Sequence, residues 1–303
     1  MHVFVTGATG LIGSAVCGAL VAAGHRVTAL SRSASPRGLP AGARSVQGDP
    51  AAVGAWQEAL AACDACVHLA GEPVAAGRWT SERKRRIQDS RVESTRRVAE
   101  VVAGSGPSIL VSGSAVGYYG PRGDEPLDEA AHPGGDFLAR VCKEWEAAAL
   151  GAASRARVVT VRTGLVLTRQ GGALPRMLLP FRFFAGGPIG RGEFWQSWIH
   201  LADELGLILW ALETPTVSGP LNATAPNPVT NRDLARAIGR VLRRPSALPV
   251  PELALRLLFG ELSSAIATGQ RVLPKKATDL GYRFRYPELE PALRDLLGRD
   301  ERR

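Results

Sequence analysis

The chain opens with a short β-branched and aromatic run, followed by a glycine turn and then apolar positions at helical spacing. Residues 2–6 read as a strand, Gly7-Ala8-Thr9-Gly10 as the turn, and residues 11–23 as a helix that Gly24 stops. The rhythm continues with strands at 25–30, 44–47 and 64–70 and a helix at 52–62 between the last two. A long helix is predicted over 82–103, with Thr80 or Ser81 as its N-cap, then a strand at 108–112, a helix at 137–150 and a strand at 158–162. Strand and helix alternating with short links specify an α/β fold. The expected form is a Rossmann-type, doubly wound parallel sheet with helices on both faces.

Past residue 162 the rhythm weakens. Glycines 171, 172, 186, 187, 190 and 192 break the chain into loops, and helical spacing resumes over 202–212, 231–242, 252–262 and 288–297. The expected division is therefore a Rossmann domain over 1–220 and a smaller C-terminal lobe over 221–303, on the substrate side and partly interwoven with the first.

Composition narrows the class. Hydrophobic residues are 45% and charged residues 21% of 303, the balance of a globular enzyme. The net charge of +9 invites a nucleic-acid partner, but the basic residues are scattered and aromatics are only 6%, so no stacking face is expected. The N-terminus carries no basic leader and no apolar stretch reaches bilayer length. Cys17, Cys63, Cys66 and Cys142 are few and unpatterned. They fit a reducing compartment, and Cys63-x-x-Cys66 lacks the partners of a zinc or redox site. The expectation is a cytoplasmic protein with a small-molecule substrate, no metal, and neither nucleic-acid nor membrane partners.

Candidate chemistry begins at the first turn. Gly7, Gly10 and Gly13 sit between strand and helix, where glycine permits the turn, the approach of a diphosphate and close helix packing. Thr9, Leu11 and Ile12 complete that turn and the helix start. At the end of the second strand an acidic residue would select NAD, whereas this chain has Ser31-Arg32, and a guanidinium suits the 2′-phosphate of NADP. Arg91 shares a helical stripe with Ile87, Ser94, Val98 and Val102, so its charge must meet an anion, either a structural carboxylate or the cofactor. Arg83 to Arg86 read as a solvated face.

With these residues in view, the chain resembles the extended and atypical, epimerase-like branch of the short-chain dehydrogenase/reductase superfamily. The G-x-x-G-x-x-G pattern matches Gly7, Gly10 and Gly13, and Leu69-Ala70-Gly71 resembles the segment that lines the adenine ribose. HLAGEP from His68, SGSAVGYYG from Ser112, RTGLVL from Arg162, SWIHLAD from Ser197 and GQRVLPKKA from Gly269 resemble one family in particular. It joins an NADP-binding Rossmann domain to a small C-terminal domain of unknown function.

The resemblance implies NADP(H) bordered by Ser31, Arg32, Leu69, Ala70, Arg91 and Val166. It also implies a Ser, Tyr and Lys for catalysis. Lys143 matches the lysine and Ser114 the serine, but Ala139 stands four residues before Lys143, where the tyrosine belongs. Tyr118 or Tyr119 offers a phenol from another direction, or packs beside the pocket. His200 and Asp203 are expected to position a loop, and Trp195 and Trp198 to wall a pocket or fill the core. Two functions follow. One is an NADP(H)-dependent oxidoreductase or epimerase acting on a carbonyl or nucleotide sugar; the other is an NADPH-binding regulator without chemistry. No G-x-S-x-G elbow supports a hydrolase.

Overall fold

The structure is a computed structural model that describes residues 1–298, apart from 252, 254–256, 258, 259 and 264–266. The N-terminal half builds β1 (His2–Thr6), α1 (Leu11–Ala22), β2 (Arg26–Ser31), β3 (Ala43–Gln47), α2 (Trp56–Ala61), β4 (Ala65–His68), α3 (Ser81–Gly104) and β5 (Ile109–Ala115). The short β6 (Pro126–Leu127), then α4 (Phe137–Leu150), β7 (Arg157–Thr163) and β8 (Leu165–Leu167) follow. The remainder forms α5 (Leu174–Arg182), β9 (Trp195–Gln196), β10 (Trp198–His200), α6 (Leu201–Glu213), β11 (Gly219–Ala223), β12 (Val229–Thr230), α7 (Asn231–Leu242), β13 (Arg271–Val272), α8 (Lys275–Asp279) and α9 (Leu289–Leu297).

Seven strands pair in the order β11-β7-β5-β4-β1-β2-β3, all parallel. The order reverses between β1 and β4, which makes this the doubly wound sheet that the alternation predicts. One face is covered by α1 and α6 over Val5, Val16, Val67, Val159, Leu207 and Leu221. The other is covered by α2, α3 and α4 over Phe4, Trp56, Leu60, Val98 and Leu110, a cluster that also takes in Cys63 and Cys66. A separate cluster joins α5, α7 and α9 through Leu174, Phe181, Leu234, Ile238, Leu289 and Leu293.

Several elements differ from the pattern in the sequence. The helix expected over 52–62 is confined to Trp56–Ala61, because the Asp49 side chain accepts the Ala51 N–H and turns the chain first. The strand expected over 64–70 ends at His68: the Leu69 N–H is shared between the Thr6 carbonyl and Thr6 Oγ1, and the Ala70 N–H goes to Thr6 Oγ1 instead of a strand partner. Of the two N-cap candidates, Thr80 caps α3 by accepting the Arg83 N–H. Helix α5 carries Pro175 and Pro180 among glycine-rich flanks, and its spacing was hidden there. Strand β11 completes the sheet on β7 and spans position 220/221, the expected domain division. The helix expected over 252–262 falls largely outside the described residues. Among the described residues no helix is long and apolar enough to cross a membrane.

Helix α6 hides one ionisable group. The Glu204 side chain is fully buried, one oxygen accepting from Thr163 Oγ1 at 2.8 Å and the other without a partner. Burial pushes its carboxyl up to about 8, partly offset by that hydrogen bond. The folded state therefore holds a proton that the unfolded chain releases. Stability from this group is complete below the ordinary value of 4.5 and is lost as pH rises toward 8, at about 1.4 kcal/mol per pH unit. Glu204→Gln, which mimics the protonated acid, is expected to flatten this decline. Urea unfolding at pH 8 should find the variant more stable than the parent, with the gap closed near about pH 5; equal stability at pH 8 would refute the assignment.

Candidate functional site

The carboxyl ends of β1, β2, β4, β5 and β7 open onto one crevice at the point where strand order reverses, the usual ligand position in such sheets. At its floor the turn after β1 packs on itself. Gly7 has φ +64°, and a Cβ there would lie 2.6 Å from the Leu69 carbonyl; at Gly13 a Cβ would lie 2.2 Å from the Gly7 oxygen. Gly10 caps α1 without a side-chain hydrogen bond, and the first turn holds no acidic residue. The first-turn amides of Leu11, Ile12 and Gly13 thus present a positive helix end to the crevice.

A cleft of about 670 Å³ lies over this turn, lined by Thr9, Gly10, Leu11 and Ser14, by Gly38 to Pro40, and by Gln170 to Gly172. Ser31 is buried at the end of β2, where its hydroxyl accepts the Ser33 N–H, and Arg32 is exposed beside it. Leu69, Val166 and Ile12 are partly buried and pack against the same core cluster. The Gly71 backbone touches Arg91, since a Cβ there would meet the guanidinium carbon at 3.2 Å. Arg91 donates to the Glu72 and Ile87 carbonyls, both at 3.0 Å, and stacks over Trp145. No carboxylate lies within ion-pair distance of it among the described residues, although the Glu72 charge acts on it from further off, and burial lowers its affinity for its proton. Beside it, His68 is tied to Thr6 Oγ1 at 2.7 Å and to Ser94 Oγ at 3.2 Å, and burial pushes its imidazole down to about 3, so it stays neutral.

The residues expected to do chemistry are placed differently from one another. Register aligns Ser114 of β5, Arg162 of β7 and Asn222 of β11 side by side. Ser114 Oγ donates to Glu146 at 2.6 Å, and Arg162 grips both oxygens of the same carboxylate at 2.8 Å. Arg162 also donates to Tyr119 Oη, which donates to Asn222 Oδ1 at 2.6 Å. Burial disfavours the Arg162 charge, but Glu146 more than offsets it and raises the guanidinium further. Ser114 has therefore committed its proton to a carboxylate and is only an acceptor toward anything else.

Lys143 is exposed, whereas α4 turns Ala139, Cys142, Trp145, Glu146 and Ala149 inward. Beside the crevice that inward face presents the Cys142 thiol, which burial pushes up to about 12. Tyr119 is fully buried, and Tyr118 is half-buried with the Arg162 guanidinium 3.5 Å over its ring and no described residue engaging its hydroxyl.

A second cavity of about 770 Å³ shares Gly172 with the cleft as a lining residue, and Val116 and Leu165 are among its walls. Trp195 lines it, with its Nε1 donating to Asp124, whereas Trp198 is buried in the core. His200 caps α6 by accepting the Ala202 N–H, and Asp203 accepts the Arg285 and Tyr286 N–H groups. Both anchor chain segments, as the sequence suggests. Arg176, Gln196 and Gln270, which also line the cavity, were not singled out in the sequence. Their only signal there is a position in the glycine-rich segment and in GQRVLPKKA.

Comparison with known proteins places this geometry among relatives. A family model described as NAD dependent epimerase/dehydratase family matches residues 3–223, and one described as a domain of unknown function, DUF1731, matches 250–296. The Arabidopsis thaliana relative named Epimerase family protein SDR39U1 homolog, chloroplastic, is 42% identical over 302 residues, spanning 98% of this chain and 87% of its own. The crystal structure of human epimerase family protein SDR39U1 (isoform 2) with NADPH superposes with a TM-score of 0.88 at 36% identity, covering 98% of this chain and 99% of that one. A structure named as the nucleoside-diphosphate sugar epimerase from Corynebacterium glutamicum superposes with a TM-score of 0.79 at 34% identity, covering 99% of this chain and 58% of that one.

Proposed function

The chain belongs to the NAD dependent epimerase/dehydratase family, and from that premise we propose that it is an NADP(H)-dependent oxidoreductase acting on a small carbonyl compound. The observation that carries this is Gly172, which lines both the cleft over the glycine turn and the larger cavity and so sets the two side by side. A dinucleotide in one would meet a ligand in the other.

The residues fit the cofactor. A Cβ at Gly7 or Gly13 would strike the main chain that shapes the turn, and the start of α1, without a side-chain cap, suits a diphosphate. Arg91, held only by carbonyls, is matched to a further anionic or hydroxyl oxygen at the β4 end. Arg32 reads the 2′-phosphate, consistent with the NADPH named for the human relative. Ser31, Thr9, Gly10, Leu11, Ile12, Leu69, Ala70, Gly71 and Val166 shape the walls. When bound, NADPH supplies a hydride. The chain's part is to hold the carbonyl against Val116 and Leu165 and exclude water; the phenol assigned to protonate the oxyanion is Tyr118, two residues beyond Val116 though outside the described lining of both cavities.

Arg32→Ala is expected to weaken NADPH binding about tenfold, or about 1.4 kcal/mol, while leaving NADH binding nearly unchanged. Fluorescence titration of both cofactors checks this, and equal losses would remove Arg32 from the 2′-phosphate. Turnover is tested with NADPH and a panel of carbonyl compounds and nucleotide sugars. Tyr118→Phe should slow turnover without altering NADPH affinity.

A second reading has its own observation. Ser114 is bonded to Glu146, and Lys143 is exposed with no partner in the site among the described residues. Tight NADPH binding with no oxidation across the panel would favour a regulator that senses the cofactor.

A further inference from the structure

The larger cavity says what kind of molecule it takes. Among the described residues lining it, Arg176 alone is charged, and it is exposed, which puts it at the rim. Pro73, Met177, Phe181, Ile189, Trp195 and Ile238 supply much of the wall.

Several polar side chains in the lining are already engaged. Ser197 Oγ donates to the Gln270 carbonyl at 2.6 Å and accepts the Val272 N–H at 2.9 Å. Asn231 Oδ1 accepts the Ile189 N–H, and Trp195 Nε1 is held by Asp124. Arg271 is stacked against the Trp195 ring and is not part of the lining. The side-chain amides of Gln196 and Gln270 and the Thr268 hydroxyl complete the polar side chains of the described lining, and all of them are neutral.

A nucleotide sugar carries a diphosphate, whose two charges would have to leave water for apolar walls with one cation at the mouth, a costly transfer. An apolar body gains from the same walls. We propose that this cavity takes a predominantly apolar aldehyde or ketone bearing at most one negative charge, which Arg176 meets at the rim, and that it does not take a nucleotide sugar. This rests on the oxidoreductase reading for the role of the carbonyl, but the ligand class follows from the lining.

The test uses the full chain, with and without NADP⁺, titrated calorimetrically with nonan-2-one, 8-oxononanoate and UDP-glucose. Both ketones should bind at least tenfold more tightly than UDP-glucose. Met177→Asp should weaken both at least tenfold with NADPH affinity unchanged, which also shows the variant to be folded; Met177→Gln should have a smaller effect in the same direction. Arg176→Ala should abolish any preference for 8-oxononanoate over nonan-2-one. Tighter binding of UDP-glucose, or ketone binding indifferent to both Met177 variants, would overturn the proposal, and a preference for the acid that survives Arg176→Ala would overturn the role of Arg176. Should the ketones bind in this way while NADPH does not, the ligand class stands and the oxidoreductase reading falls.

Discussion

Glu146→Gln is expected to lower the stability of the fold by about 3–5 kcal/mol, because it leaves a buried guanidinium without its counter-charge. Arg162 is only 3% exposed, and its carboxylate partner is the sole acid bonded to it among the described residues. The glutamine amide would keep one acceptor, but its NH2 would face the Arg162 donors and displace the Ser114 bond. The damage would spread along the row, since Asn222 and Glu129 tie β11 to the segment around Leu273 and Lys276. Urea unfolding at neutral pH measures the loss. Adding Arg162→Met to Glu146→Gln should restore part of it, because an apolar residue in that space needs no partner. A loss under about 1 kcal/mol would mean that the pair is solvated and the row is not a structural unit.

Gly13→Ala is expected to abolish most NADPH binding, by about a hundredfold or more, equivalent to about 2.8 kcal/mol. The new methyl would stand 2.2 Å from the Gly7 oxygen and 2.8 Å from its carbonyl carbon. Main chain cannot swing aside as a flexible side chain can, so α1 must move off the sheet. That carries the first-turn amides away from the crevice and costs about 1–3 kcal/mol of packing as well. Titration with NADPH together with thermal unfolding separates the two effects. Near-normal affinity in a folded variant would show that the diphosphate does not sit on this turn.

These two sites illustrate how differently the sequence exposes its contents. The glycine turn was readable because strand, turn and helix follow one another within about a dozen residues, and each is set by neighbours two to four positions away. The sheet was readable for the same reason, through repeated alternation. Helix α5 was obscured by its prolines, and β11 by the Gly219-Pro220 pair with which it opens. The chemistry was less legible. Lys143 was matched by its spacing to a motif whose tyrosine is missing at Ala139, yet α4 turns Ala139, Cys142 and Glu146 to the interior and leaves Lys143 outside. One position along a helix is a rotation of about 100°, enough to exchange the crevice for solvent, and packing alone selects the face.

By itself, then, the sequence determined the doubly wound architecture, the glycine cradle and the guanidinium at the end of β2, because these depend on local spacing and on residue types with few substitutes. Tertiary structure alone decided that Ser114 serves Glu146 across 32 positions, that Tyr119 meets Asn222 across 103, and that distant apolar segments enclose a cavity with one cation at its rim. The physical reason is range: backbone propensity and periodicity act over a few residues, whereas the partner of a hydroxyl or a charge is chosen by whichever group the folded sheet brings within hydrogen-bonding distance.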